Sequence, residues 1–239
     1  MPEHLQADPG AYGAHALLVG DPARAELIAA ELLDDARRVT EGRGLVGFAG
    51  AFGGVPVGVQ TTGMGGPSAA IVIEELIGLG VRRLVRLGTC GSLVADVAPG
   101  DLLCAAAAIP ADGASQTYLR GEPHAPMADF EVVHAAVHDA RKASTPLRVA
   151  LVATTDAYYD PGANRAARWA ERGALAVDLE TATLLTIAPL RGVSAGSFLV
   201  VSNRVGDPAS RLAPDAQREA VLRLAPIALS ALVAEPKGR

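Results

Sequence analysis

Short apolar runs that stop at glycine or a polar residue alternate along this chain with longer stretches of helical period. That alternation is what most limits its fold. Residues 16–19 read as a buried strand closed by Gly20. Asp21 and Pro22 then open a helix over 23–33: the aspartate caps, the proline suits the first turn, and apolar positions recur at helical spacing. Runs 45–52 and 55–61 flank Gly53-Gly54 and read as a hairpin. Pro67 opens a second helix that runs to 79, and Gly80 stops it. Further strands are expected at 84–87, 102–109, 149–154, 175–179 and 197–201, and helices at 130–143, 165–172, 180–189 and 215–234. The pattern predicts a single α/β domain over residues 1–239, with a central sheet flanked by helices; the hairpin makes the sheet mixed. No repeat or low-complexity linker divides the chain.

Composition removes other classes. Half of the residues are hydrophobic and 20% are charged, which excludes a disordered, collagen-like or disulfide-built chain. Mean hydropathy is positive, at +0.26, so a membrane protein has to be considered. The run 102–111, however, ends at Asp101 and Asp112, well short of the roughly 18 residues a span needs. The N-terminal MPEHLQADPG has neither the basic region nor the apolar stretch of a signal peptide. A net charge of −5 without a basic block argues against nucleic acid as the main partner. Cys90 and Cys104 are too few for a metal site or a disulfide framework, and free thiols suit a reducing cytoplasm.

In α/β sheets ligands gather at the carboxyl ends of strands, and four such ends carry polar groups. Gly20 allows close approach of a ligand, the helix start after it offers free N–H groups, and Arg24 adds a cation. The plainer reading is a capped helix with a surface arginine. Arg86 lies inside an apolar strand before the glycine-rich Gly88-Thr89-Cys90-Gly91, read here as a turn. A buried arginine needs an anion, supplied either by a ligand or by a structural salt bridge. Asp178 and Glu180 stand at a strand end and helix start, where they could accept from vicinal sugar hydroxyls or only cap the helix. Ser202-Asn203-Arg204 ends an apolar strand; Asn203 can donate and accept at a heterocycle edge, or close a turn. Together these ends meet the needs of a nucleoside plus phosphate.

The segments GDPARA (20–25), RGLVGFAG (43–50), GMGGPSAAIVIEEL (63–76), RLGTCGSL (86–93), DAYY (156–159), VDLETATLL (177–185) and VSNR (201–204), in this order and spacing, resemble the nucleoside phosphorylase family of hexameric purine nucleoside phosphorylases and uridine phosphorylases. The likeness runs nearly from end to end, beginning at His4. It implies a phosphate pocket of Gly20, Arg24, Arg86 and the Thr89 hydroxyl, with Arg43 contributed by a neighbouring subunit. His4, also from the neighbour, would bond the ribose 5′-hydroxyl, while Met64 and Glu180 would hold the ribose. Cys90, Gly91, Tyr158 and Asn203 fall where the base is bound, and Asn203 and Arg86 are the catalytic candidates. The resemblance further implies inorganic phosphate as co-substrate, no cofactor or metal, and a homo-oligomer, a hexamer built as a trimer of dimers, with sites shared across the dimer interface.

Two departures bear on the substrate. Many members have Ser-Asp where this chain has Ser202-Asn203. Aspartic acid can protonate N7 of a departing purine, whereas an amide offers only a hydrogen bond. This favours 6-oxopurines, whose leaving anion spreads onto O6. Asp178-Leu179 replaces a common Glu-Met pair, which leaves the role of Asp178 open. Uridine phosphorylase is the alternative, because GGPS, 112–115 and the Asn-Arg pair resemble that branch. Its uracil-reading glutamine and arginine lie on a longer insertion; here 160–173 is short, contains no glutamine, and offers only Arg165 as a counterpart. A nucleosidase normally lacks the phosphate arginines, and a non-catalytic nucleoside-binding protein is disfavoured by the set Arg24, Arg43, Arg86 and Glu180.

Overall fold

The computed structural model describes residues 2–160 and 164–234. Among these residues nine strands form one mixed sheet, flanked by helices on both faces. Strand β1 (His15–Val19) pairs in parallel with β4 (Val55–Thr61) and with β5 (Arg83–Ser92). Strand β9 (Ser194–Arg204) lies parallel to β5 along its whole length. Strands β6 (Leu102–Ala111), β7 (Arg148–Thr155) and β8 (Ala174–Asp178) complete a closed circuit, β9 to β6 to β7 to β8 and back to β5. The expected hairpin is present: β3 (Gly47–Phe52) turns into β4 through Gly53 and Gly54, at φ 57° and 80°, the left-handed geometry that glycine adopts without strain.

The helices bury the apolar faces their spacing implies. On one side α2 (Gly66–Gly78) and α6 (Thr181–Leu190) cover a core that includes Leu18, Ile73, Leu84, Leu103, Leu184 and Leu199. On the other, α1 (Pro22–Leu32), α4 (Phe130–Lys142) and α7 (Pro214–Val233) enclose Leu17, Ile28, Val85, Phe198 and Leu224. The short α5 (Arg165–Glu171) packs Trp169 against Ala153 and Ala174. Among the described residues no helix is long and apolar enough to cross a membrane.

Four elements differ from expectation. The glycine-rich stretch after Arg86 is not a turn: β5 continues through it to Ser92 because β9 supplies ladder partners at every step, with one bulge between Cys90 and Gly91. Likewise Ser202-Asn203-Arg204 is the last part of β9 rather than a loop. Strand β2 (Asp34–Thr40) and the short α3 (Gly113–Leu119) were missing from the pattern. Strand β2 is a polar, mostly exposed edge strand, so no apolar alternation marks it. Because β1, β4, β5 and β9 are parallel, their C-terminal ends share one edge, and the polar residues converge there.

Candidate active site

Arg86 organises this edge. Its side chain is 5% exposed and donates Nε to Asp178 Oδ2 at 3.2 Å and Nη2 to Glu180 Oε2 at 2.5 Å. These two nitrogens form one edge of the planar guanidinium. The third, Nη1, is buried and has no partner among the described residues. Burial alone would lower the Arg86 pKa, but the charges of Glu180 and Asp178 outweigh it and hold the guanidinium above its ordinary value. Gly88 makes room for this arrangement, since a Cβ there would come within 2.4 Å of Arg86 Nη2. The glycine two residues on is therefore explained by packing in a strand, not by a turn.

The two carboxylates have different partners. Asp178 ends β8 and caps α6, accepting from Thr181 N at 3.2 and 3.1 Å. Glu180 precedes α6 but makes no capping bond. Its Oε1 accepts instead from Gly65 N at 2.7 Å, across from the loop that carries Met64. Gly65 takes φ 89° to present that N–H, a conformation side chains disfavour. Burial is the largest influence on Glu180 and pushes its carboxyl up; Arg86 pulls against it.

Arg24 is the second buried cation. Asp21 caps α1 through Ala23 N at 3.0 Å, and one turn in, the Arg24 side chain points under the sheet edge, where Nη1 donates to the Leu87 carbonyl at 3.3 Å. Burial lowers its pKa, and the nearby Arg86 charge lowers it further. Two buried guanidiniums thus lie close together, and one of them has an unpartnered N–H group. Asp178 and Glu180 balance the two cations in charge, so what the cluster lacks among the described residues is an acceptor for that one buried N–H group. Gly20 opens the same strand-to-helix turn, and the half-buried Thr89 follows on β5, its hydroxyl unbonded among the described residues.

Gly91 and Asn203 face each other across the β5–β9 pair. A Cβ at Gly91 would reach Val205 Cγ2 at 2.8 Å and Asn203 Nδ2 at 3.6 Å, so glycine permits this closeness. Asn203 Oδ1 accepts from Ser202 Oγ at 2.8 Å and Nδ2 donates to the Arg204 carbonyl at 3.1 Å, leaving one amide N–H without a partner among the described residues. The Cys90 side chain does not line this surface: it belongs to the core, with Sγ directed at the Val200 carbonyl, and burial raises its thiol far above the ordinary range. Only its backbone carbonyl, bonded by Ser202 Oγ at 3.1 Å, reaches toward Asn203.

Among the described residues the remaining expected residues make no hydrogen bond or ion pair with Arg86, although Met64 adjoins Gly65, which bonds Glu180. Tyr158 is 59% exposed, stands edge-on to Tyr159 with 5.0 Å between ring centres, and accepts from Arg211 Nη1 at 3.3 Å. Met64 is 82% exposed. Arg43 is exposed on a 3₁₀ turn, at φ 58°. His4 is held elsewhere, with Nδ1 2.8 Å from Glu75 Oε1, and Glu75 also accepts the N–H groups of Glu3, His4 and Leu5. These bonds hold the Glu75 carboxyl below its ordinary range despite burial. Arg165 pairs with Asp160 at 3.1 Å and lies over Trp169; residues 161–163 of that segment fall outside the described residues. A cavity of about 580 Å³ lined by Tyr118, Arg120, His124 and Arg191 shares no residue with the Arg86 cluster, and Arg191 there is already paired with Glu74. Sequence reasoning missed Glu75 and the hydroxyls of Thr154, Thr181 and Ser197 behind Asp178. Their only signal was polar side chains within otherwise apolar stretches.

The sequence model of the phosphorylase superfamily matches residues 14–235. The chain is 40% identical over 204 residues to a protein of Caldanaerobacter subterraneus subsp. tengcongensis named purine nucleoside phosphorylase DeoD-type, covering 85% of this chain and 88% of that one. Proteins of the same name from Geobacillus kaustophilus and from an Exiguobacterium strain are 39% and 36% identical over 206 residues, each covering 86% of this chain and 87% of the relative.

Proposed function

Since the chain belongs to the phosphorylase superfamily, we propose that it is a purine nucleoside phosphorylase that cleaves the N-glycosidic bond with inorganic phosphate, releasing free base and ribose 1-phosphate. One observation carries this reading: Arg86 Nη1 is buried without a partner beside Arg24, while the same arginine binds Glu180. A phosphate anion would accept from the open N–H group beside the Arg24 charge. Gly20, Thr89 and a neighbour's Arg43 would complete its shell. An ionised carboxylate has about four acceptor sites, so Glu180 keeps capacity for the ribose hydroxyls beyond Gly65 and Arg86.

The chemistry is a displacement at C1′. A phosphate oxygen forms the new C1′–O bond as the C1′–N9 bond breaks, and the bonding pair leaves with the base. Charge on the departing 6-oxopurine spreads to O6, while the free Asn203 N–H donates toward N7. Neither nucleophilic catalysis by Cys90 nor a cofactor is invoked. Holding both reactants in line can supply a large share of the acceleration, on the order of 7–11 kcal/mol for well-oriented reactions. Two buried free thiols fit a cytoplasmic location.

Base release from inosine, guanosine, adenosine, methylthioadenosine and uridine, followed with and without phosphate, tests the reading. Release is expected to require phosphate, to yield ribose 1-phosphate, and to be fastest with a 6-oxopurine. Equal rates in phosphate-free buffer with free ribose as product would make the protein a nucleosidase. A preference for uridine would make it a uridine phosphorylase.

We also infer a homo-oligomer with shared sites, a hexamer as a trimer of dimers, in which His4 and Arg43 complete a neighbour's pocket. In support, Glu75 holds His4 through Nδ1, Nε2 has no bond among the described residues, and Arg43 is exposed and makes no bond to its own chain's Arg86. Subunits carrying His4→Ala with Arg43→Ala, mixed with Arg24→Ala subunits, are expected to regain activity that neither has alone. In such a heterodimer one composite site regains every group. Confirmed heterodimers without recovered activity would overturn the shared site.

A further inference from the structure

We propose that Asp178 is a positioning residue: it fixes the Nε edge of Arg86 so that Nη1 is the nitrogen left to meet phosphate. This rests on the reading of Arg86 as a phosphate ligand and adds to it a residue that the resemblance leaves without a role. The Asp178 side chain is fully buried. Its oxygens are occupied by the protein itself: Oδ1 by Thr154 Oγ1 at 2.7 Å, Oδ2 by Arg86 Nε at 3.2 Å and Thr181 Oγ1 at 2.6 Å, and both by Thr181 N. No acceptor capacity remains for a sugar or base, so Asp178 acts through Arg86 rather than on substrate.

The network behind it is stiff. Thr181 Oγ1 also bonds Ser197 Oγ at 2.8 Å, and Thr154 Oγ1 accepts Ala182 N at 2.9 Å, tying β7, β8, α6 and β9 to one carboxylate. A guanidinium held only by Glu180 through Nη2 could pivot about that contact and turn Nη1 onto the same carboxylate. The second contact at Nε prevents the pivot, because two separated bonds define the plane and the direction of the third nitrogen. A longer side chain at 178 would not fit the Thr154–Thr181 cradle as Asp178 does and would displace the Nε edge of the guanidinium.

The experiment compares Asp178→Asn and Asp178→Glu with wild type in phosphate and nucleoside kinetics, with thermal melting alongside. Asp178→Asn keeps the size and one acceptor but removes the charge. It is expected to raise the KM for phosphate and lower kcat/KM for phosphate by about 10- to 100-fold, the range for losing a hydrogen bond to a charged group. Nucleoside affinity, titrated without phosphate, is expected to change less than about twofold by the same reasoning. Asp178→Glu restores the charge and is expected not to restore phosphate KM, since length is what it violates. Should either variant fail to fold, Thr181→Val removes one hydroxyl of the cradle at nearly constant volume and is expected to raise phosphate KM several-fold. A lower melting temperature with unchanged phosphate KM and kcat would reduce Asp178 to a structural cap and overturn the inference alone. A wild type without phosphate dependence would instead overturn the parent reading.

Discussion

Arg86→Ala is expected to reduce phosphate-dependent cleavage by roughly 30- to 5,000-fold, corresponding to about 2–5 kcal/mol for removing one partner of a buried, charge-assisted contact. The same substitution strips Asp178 and Glu180 of their shared counter-charge while both remain buried. Breaking a buried pair in this way costs about 3–5 kcal/mol of stability, against a total of about 5–15 kcal/mol for a typical domain. With both carboxylates paired to Arg86, the substitution is a stability variant as well as an activity variant. Arg86→Lys separates the effects. Lysine keeps a charge between the carboxylates but cannot hold both and still present a third donor in the guanidinium plane. Its denaturation midpoint should therefore lie nearer wild type than that of Arg86→Ala, with kcat/KM for phosphate still strongly reduced. Wild-type phosphate kinetics in either variant would return Arg86 to a purely structural salt bridge.

Asn203→Asp is expected to raise kcat/KM for adenosine relative to inosine, by up to the 10²- to 10⁴-fold that a positioned general acid typically contributes. The geometry favours the protonated form of the new acid. In the present structure the Asn203 amide nitrogen donates to the Arg204 carbonyl at 3.1 Å. A carboxylate oxygen in that place would face another acceptor, which favours protonation; the single acid proton then turns from the Arg204 carbonyl to N7 when a base is bound. An acid held protonated beside the base can deliver a full proton to N7, which adenine needs more than a 6-oxopurine does. Ser202 Oγ, bonded to Oδ1 at 2.8 Å, can keep its contact in both forms. Steady-state kinetics with inosine, adenosine and uridine in both proteins measure the shift. A changed melting temperature with an unchanged adenosine-to-inosine ratio would show that Asn203 only closes the end of β9.

The α/β class, the hairpin and most helices were legible because their signals are local. The Asp21-Pro22 start of α1, the Gly53-Gly54 turn and the apolar spacing of α2 each act within a few residues. The same holds for which residues are chemically unusual: an arginine in an apolar strand, two acids at a strand end and an amide after another were visible without a fold. Strand β2 was not legible, because a polar edge strand has no periodicity to read. The glycine-rich half of β5 was misread as a turn, because what makes it strand is the ladder to β9, over a hundred residues away.

What those unusual residues do to one another was decided only by tertiary structure. From sequence, Arg86 could equally meet a ligand or a structural carboxylate; folded, it meets two carboxylates and still has Nη1 free. Asp178 and Glu180, two positions apart, looked like a pair with one task. Their backbone directions differ, however, so one carboxylate turns into the Thr154–Thr181 cradle and the other toward the Gly65 loop. Sequence determined the kinds of groups available, because composition and local propensity act along the chain. Their partners were decided by the packing of distant strands, because hydrogen-bond direction and desolvation depend on what arrives from elsewhere in the fold.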